Sequence, residues 1–455
     1  MIESTALAAD LRRAVRGRVL VRGDEGFDIA RAPWDGAIDQ RVIAVVEAED
    51  AADAAAVVGC ARLAGVAVAT QPEGHAPSAF EDAILLRTGR LRGVEIRPEQ
   101  RVARVEAGVR WGEVLTASGK HDLTGLAGST AVVSATGFTL GGGLSWFGRR
   151  YGIAANSVRS LDVVDAEGAR ARVTADSDPE LFWALRGGDF ALVTAMEFDL
   201  HPAPELYGGR ILWPAAQAEQ VLSAFRGTTA EAPDELSVWF TLLQFPPFPE
   251  LPEPLRGLSA VAIDVTWLGR EAEGRALLHR FDRIPGAILD TRGRMPVAEL
   301  GAICAEPTDP TPALFHGELL TGLGDDAAAS LLAATLPTAA GTIAPLVSVQ
   351  IRHLGGAIGR PAGNPGACGH IAEPYLLGLL GVLPVPELAE PIKERQASIA
   401  RALMPYTTGR KPFTFLKHEE RAAAAFPGDT LARLRDIKRR RDPNGVFHSN
   451  HPVLG

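Results

Sequence analysis

Residues 137–157 read GFTLGGGLSWFGRRYGIAANS. Gly137, Gly141, Gly142 and Gly143 leave backbone N–H groups unobstructed by Cβ atoms, which lets a loop close on an anion such as a pyrophosphate. The spacing is not GxGxxG, and no ribose-binding acid stands where a nucleotide-binding strand–helix–strand unit would place one. Tight turns produce similar blocks, so the stretch takes its meaning from its neighbours. Upstream, residues 68–80 read VATQPEGHAPSAF, where a short apolar run enters a Pro-Glu-Gly turn with His75 at its tip. Downstream come DPELFWALRGGDFALVTAMEF (178–198) and IKRRRDPNGVFHSNHP (437–452).

The 455 residues exceed the roughly 250–300 at which one hydrophobic core stops growing, so two or more lobes are expected. With 46% hydrophobic and 22% charged residues, the composition is that of a soluble globular enzyme. A net charge of −9 argues against a nucleic-acid partner, which would demand a Lys/Arg surplus. The one basic cluster, LARLRDIKRRRDP (431–443), carries Leu431, Leu434 and Ile437 at helical spacing, so its arginines read as the solvated side of an amphipathic helix. Cys60, Cys304 and Cys368 lie far apart without CxxC spacing, which supports neither a disulfide framework nor a metal site and points to a reducing compartment. The first residues, MIESTALAADLRRAVRG, carry early acids and no apolar run, and no window reaches ~18 uninterrupted apolar residues. The expectation is a soluble, cytoplasmic protein with no membrane partner.

From Arg41 the pattern is strand (RVIAVVEA), helix (AEDAADAAAVVGCARLAG, stopped by Gly65) and strand (VAVAT), a parallel unit that ends in the His75 loop. Short β-like runs follow (ILLR, GVEI, RVARVEAG), then a helix from Trp111 and the glycine block. SLDVVDAEGARARVTA reads as two strands joined at AEG, and DPELFWALRGG as a helix with Asp178 as cap and Pro179 at its first position. Near residue 204 the texture changes. WPAAQAEQVLSAFRGTTAEAPDEL and EGRALLHRFDRI read as helices; SVWFTLLQF, AVAIDVTWLG, LVSVQIRHLGGAI and EPYLLGLLGV read as strands. Strands interleaved with helices in this way suggest an α+β lobe, an antiparallel sheet covered by helices.

In order and spacing, these blocks resemble the FAD-linked oxidoreductases of the vanillyl-alcohol oxidase type and, within them, the berberine-bridge-enzyme-like oxidases. The resemblance implies an N-terminal arm (1–37), a PCMH-type FAD-binding domain (38–203), a substrate-binding domain (204–410) roofing the flavin, and a C-terminal segment (411–455) returning to the FAD domain. It implies that His75 carries FAD through an 8α-linkage. Gly74, Gly137, Gly141 and Gly142 match positions of close cofactor approach, Val193 a strand residue whose backbone meets the cofactor, Asn450 a position in the returning segment, and Trp34 an aromatic near the cofactor in some relatives. Three departures stand out. Ala155 occupies the position of the second flavin-linking cysteine, and RGGDF (186–190) is about two residues shorter than the family's RGGGGNF. The substrate-side strand Tyr-x-Asn-Phe reads Pro412-Phe413-Thr414-Phe415, so the tyrosine that serves as base, or sits beside it, is missing.

The activity this implies is hydride transfer to the flavin from a C–H next to O–H or N–H of a small natural-product-like, sugar or amine substrate, with O₂ reduced to H₂O₂. For the base, Tyr375 and His353 are the candidates, with His370 and Glu318 behind them. Gln350 and His353 fall on opposite faces of one strand. Two alternatives stay open: a flavin-dependent cyclase or other redox-neutral tailoring enzyme, and a non-catalytic flavin-binding protein.

Overall fold

The computed structural model describes residues 4–247, 249, 252–336 and 342–454. Helix α1 (Ser4–Ala14) leads into strand β1 (Arg18–Val21). β2 (Ala44–Glu47), α2 (Ala51–Ala64) and β3 (Val68–Thr70) form the expected strand–helix–strand unit. Asp50 caps α2 by accepting from the amides of Ala52 and Asp53, and Gly65 ends it in the left-handed conformation. β4 (Ile84–Arg87) inserts between β2 and β3, parallel to both, giving the order β1-β2-β4-β3. The C-terminal segment extends this sheet: Val68 N donates to Val446 O at 2.7 Å, and His448 N to Val68 O at 2.9 Å.

A second, antiparallel sheet takes β5 (Val94–Arg97), β6 (Val102–Glu106), β7 (Val158–Val164), β8 (Arg170–Thr174) and β9 (Leu192–Asp199) in the order β5-β6-β9-β7-β8. Helices α3 (Trp111–Gly119) and α4 (Ala135–Leu140) run between β6 and β7, and α5 (Pro179–Leu185) precedes β9. Asp178 caps α5 through the Leu181 amide. One core joins the two sheets, with Val46, Val58, Leu86, Val105, Leu161 and Met196 at its centre. Each such side chain contributes about 1.5–3 kcal/mol by leaving water.

The second lobe is built on β10 (Leu206–Pro214), β11 (Leu236–Gln244), β12 (Ser259–Leu268), β13 (Ala313–Leu320), β14 (Ser348–His353) and β15 (Tyr375–Val382). Their order is β10-β12-β11-β14-β15-β13, with two-residue strands at the outer edge of β10. Helices α6 (Ala218–Glu231), α7 (Asp325–Thr335) and α8 (Ala389–Leu403) cover one face, on which Val238, Phe240, Val349, Ile351, Leu377 and Leu379 meet Phe225, Leu331 and Ile399. Strand alternation turns Trp239, Thr241, Gln350 and Arg352 the other way. There Trp239 stacks on Trp146 of the first lobe, with ring centroids 3.6 Å apart. Helix α9 (Gly428–Arg441) then returns to the first core through Leu431, Leu434 and Ile437.

Three readings need correction. LYGGRILWP forms β10, whose two glycines and short apolar run hid it, and the helix begins only at Ala218. EGRALLHRFDRI breaks into Glu271–Leu277 and His279–Asp282. Residues 413–415 form a single 3₁₀ turn rather than a strand, closed by the Phe415 amide on Pro412 O at 2.9 Å. In α9 the lysine of the basic cluster, Lys438, is buried, donating to Asp442, Phe447 O and Asp189 O. Its neighbours Arg440 and Arg441 do lie outward, paired with Glu180 and Asp178.

Candidate functional site

The loop after β3 is held from three sides. Gly74 takes φ +84°, and a Cβ there would lie 2.8 Å from Pro33 Cβ and 2.7 Å from the Gln71 amide nitrogen, so only glycine fits. From the N-terminal arm, Trp34 N donates to Glu73 O and Asp35 N to Gly74 O. From the C-terminal segment, Asn450 Nδ2 donates to Ala76 O at 2.5 Å, while Asn450 O accepts from Ser78 Oγ at 2.7 Å. The same arm reaches the roof, because Asp35 Oδ1 accepts from the amide of Ala313 at the start of β13.

His75 stacks on Trp34 at a centroid distance of 4.2 Å. Its Nε2 is buried, and neither ring nitrogen has a hydrogen-bond partner among the described residues. Burial, with Arg110 adding to it, pushes the imidazole pKa down to about 4, so it is neutral at pH 7. The amides of Glu73, Gly74, His75 and Ala76 likewise donate to nothing among the described residues. Nor do those of residues 129–134, which lead into α4. Arg110 ties these two loops together: its backbone bridges to Ser134, and its guanidinium donates to both carboxylate oxygens of Glu73 at 2.9 Å. The pair neutralises the one carboxylate that would otherwise oppose an anion at these amides.

The glycine run adds a close approach. A Cβ on Gly141 would sit 2.4 Å from Thr414 Cγ2. Gly141, Gly142 and Gly143 line a narrow crevice, partly open to solvent, together with Ile153, Cys368 and the turn 410–414. Gly137 lies at the exposed surface, its amide donating to the Ser134 cap. Ala155 is fully buried beside Leu144 and Ile153, and its amide donates to Gly142 O. Val193 is buried in β9 where the register with β7 shifts. Asp189, in the shortened RGGDF loop, is open at its surface, yet surrounding protein raises its carboxyl pKa against the pull of Lys438, His451 and His448.

Neither candidate base borders the crevice. Tyr375 and His353 are cross-strand partners on the helix-covered face. The Tyr375 hydroxyl bonds Thr229 Oγ1 of α6 at 2.8 Å, and the ring packs near Phe225. His353 is buried; its Nε2 accepts from Arg149 at 3.0 Å, and burial and Arg149 hold its pKa down to about 3. The sheet's pleat thus sets both on the face turned away from Trp239, Thr241, Gln350 and Arg352. The charged side chains that line the crevice belong to Arg410 and Lys411. Lys411 pairs with Glu420 and, at 3.2 Å, with Glu318, which in turn bonds His316 Nε2 at 2.8 Å. Burial works to raise the Glu318 pKa, but His316 and Lys411 together leave it below the ordinary carboxylate value. Sequence reasoning undervalued Glu318 because β13 was not read as a strand.

The site therefore combines two runs of free amides, an unpartnered neutral imidazole and a glycine-lined crevice between two lobes. Those features fit the pyrophosphate and ring system of FAD. Residues 42–174 match the family model for an FAD binding domain. Over its whole length, the chain shares its fold with solved structures of other proteins. It superposes on 6-hydroxy-D-nicotine oxidase from Arthrobacter nicotinovorans with a TM-score of 0.81 at 22% identity, covering 95% of this chain and 97% of that one. Berberine bridge enzyme from Eschscholzia californica gives a TM-score of 0.82 at 15% identity, covering 98% of both chains. In sequence, it is 29% identical over 222 residues to (R)-6-hydroxynicotine oxidase of Paenarthrobacter nicotinovorans, 48% of each protein. It is 32% identical over 206 residues to the FAD-dependent monooxygenase FUP4 of Fusarium proliferatum, 44% of this chain and 40% of that protein. The matched regions span less than half the length of both relatives.

Proposed function

We propose that this protein is an FAD-dependent oxidase that takes hydride from a C–H next to O–H or N–H of a small molecule and passes the electrons to O₂, releasing H₂O₂. The observation that carries the reading is the His75 loop, where a neutral imidazole and four free amides are fixed by both chain termini beneath an antiparallel roof. Relatives named as oxidases of 6-hydroxynicotine and of chitooligosaccharides share the fold and support it. When bound, FAD supplies the two-electron acceptor. The amides of residues 73–76 and 129–134 hold its pyrophosphate, with Arg110 offsetting the Glu73 charge. His75, unprotonated at neutral pH, forms the covalent attachment. Ala155 offers no thiol, so the attachment is single. The proton of the substrate O–H or N–H passes to the Lys411–Glu318–His316 network at the crevice.

Purified protein is expected to be yellow and to release H₂O₂ with one member of a panel of amines, secondary alcohols and sugars, and that substrate should bleach the flavin without oxygen. A bound flavin that no panel member bleaches, under conditions where dithionite does, counts against the oxidase and favours the redox-neutral alternative. Protein that binds no flavin refutes the reading.

A further inference from the structure

Arg352, half-buried, stands apart from the other arginines of the interior. It extends from β14 on the face turned away from the helices, directly across from Trp239 of β11. Its guanidinium lies over the Trp239 ring at 4.1 Å and within 5.4 Å of the Phe415 ring centroid. Phe415 follows the 410–414 turn that lines the crevice. Only Nε is engaged, donating to Gln350 Oε1 at 2.6 Å, and Gln350 Nε2 in turn donates to Thr241 at 3.3 Å. The two terminal nitrogens have no hydrogen-bond or ion-pair partner among the described residues. The surrounding protein nevertheless lowers the guanidinium pKa, against the pull of Glu306, Cys304 and Asp264.

Other interior arginines are compensated. Arg210 forms a two-pronged pair with Asp264, whose side chain is fully buried. Arg149 donates to Leu236 O, Ala232 O, Pro233 O and Leu354 O. Asp264 is thus already neutralised, and Glu306 makes no ion pair with Arg352. A half-buried guanidinium whose two forked donors meet no protein partner leaves its charge to be completed by an anion from the solvent side. The fork that remains, Nη1 and Nη2, has the spacing that a carboxylate meets with two parallel bonds. The Trp239 ring, the nearby Phe415 ring and the Gln350 bond hold it in place in advance, which reduces the ordering cost of binding.

We propose that Arg352 is a specificity-determining residue that binds a carboxylate of the substrate, so that the oxidised small molecule is an acid: a hydroxy or amino acid, or an aromatic acid. This rests on the oxidase reading for the neighbouring flavin, but not on knowing the substrate. The test uses the flavin-loaded protein and a probe series of benzoate, phenylacetate and acetate, with benzamide and phenylacetamide as uncharged matches. Binding is read by calorimetry and by perturbation of the flavin absorption spectrum.

At least one carboxylate is expected to bind, its amide at least ten-fold more weakly. Arg352→Met should weaken the carboxylate at least thirty-fold, with Arg352→Lys between, while flavin content and the melting temperature stay within error of the wild type. Sulfite affinity, which reports positive charge near the flavin, is measured on the same variants. If no carboxylate binds, or if amides bind as well as acids, the proposal is overturned. It is equally overturned if Arg352→Met leaves carboxylate affinity intact while weakening sulfite binding, for the cation would then serve the flavin. Failure to hold flavin at all is a different result and refutes the oxidase reading.

Discussion

Replacing Gly74 with alanine should damage flavin attachment more than stability, and the structure gives the size of both. An L-residue in the left-handed region costs about 1–2 kcal/mol, and Gly74 sits there with φ +84°. The new methyl also meets Pro33 Cβ at 2.8 Å and the Gln71 amide at 2.7–2.9 Å. Gln71 is buried and accepts from Arg87 at 3.1 Å, so it can move aside only by giving up a bond worth about 1 kcal/mol. The sum is ~2–4 kcal/mol unless the loop itself shifts, and the shift would carry the His75 imidazole and its free amides with it. Gly23→Ala is the matched control: φ +97° with nothing within 4 Å, hence the strain of about 1–2 kcal/mol without the clash. Urea denaturation gives the stabilities, and the flavin left on the chain after acid precipitation gives the attachment. Gly74→Ala should lose most of its attached flavin, and Gly23→Ala none. If both variants lose equal stability and Gly74→Ala keeps its flavin, the loop is not the rigid holder described above.

His75→Ala should release all flavin on denaturation, whereas the wild type retains it on the peptide around residues 71–78 and on no cysteine peptide; mass spectrometry of the digests decides both. Tyr375→Phe should cost about 1 kcal/mol through the lost Thr229 bond and leave flavin reduction nearly unchanged, while Glu318→Gln slows reduction ~10²-fold or more; stopped-flow reduction with the identified substrate compares them. Asp53 accepts from the amides of Arg16, Gly17 and Glu49, which overcome its burial and lower its pKa. Its contribution is therefore full above the unfolded value near ~3.9 and lost as pH falls below it. Asp53→Ala should cost ~3 kcal/mol at pH 7 and much less at pH 3, read from denaturant midpoints.

Much of the first lobe was legible because its signals are local. Asp50 and Gly65 bracket α2, Asp178 and Pro179 open α5, and the glycine run announces itself. The second lobe was harder because its decisive signals are not local. β10 carries Gly208 and Gly209, which sequence reads as loop, and is a strand because β12 pairs with it along nine residues. The placement of the two candidate bases was hidden for a related reason. Alternation tells which residues share a face, and it correctly opposed Gln350 to His353, but it cannot say which face meets the other lobe. That choice is made at a distance by contacts such as Trp146 on Trp239 and by the helices that claim Val349, Ile351 and Leu377. Once those contacts are known, parity alone moves His353 and Tyr375 behind the sheet and brings Gln350 and Arg352 to its open face. The same pleat that turns the two candidate bases away thereby exposes an arginine that sequence gave no reason to single out, since its meaning lies in donors left unused.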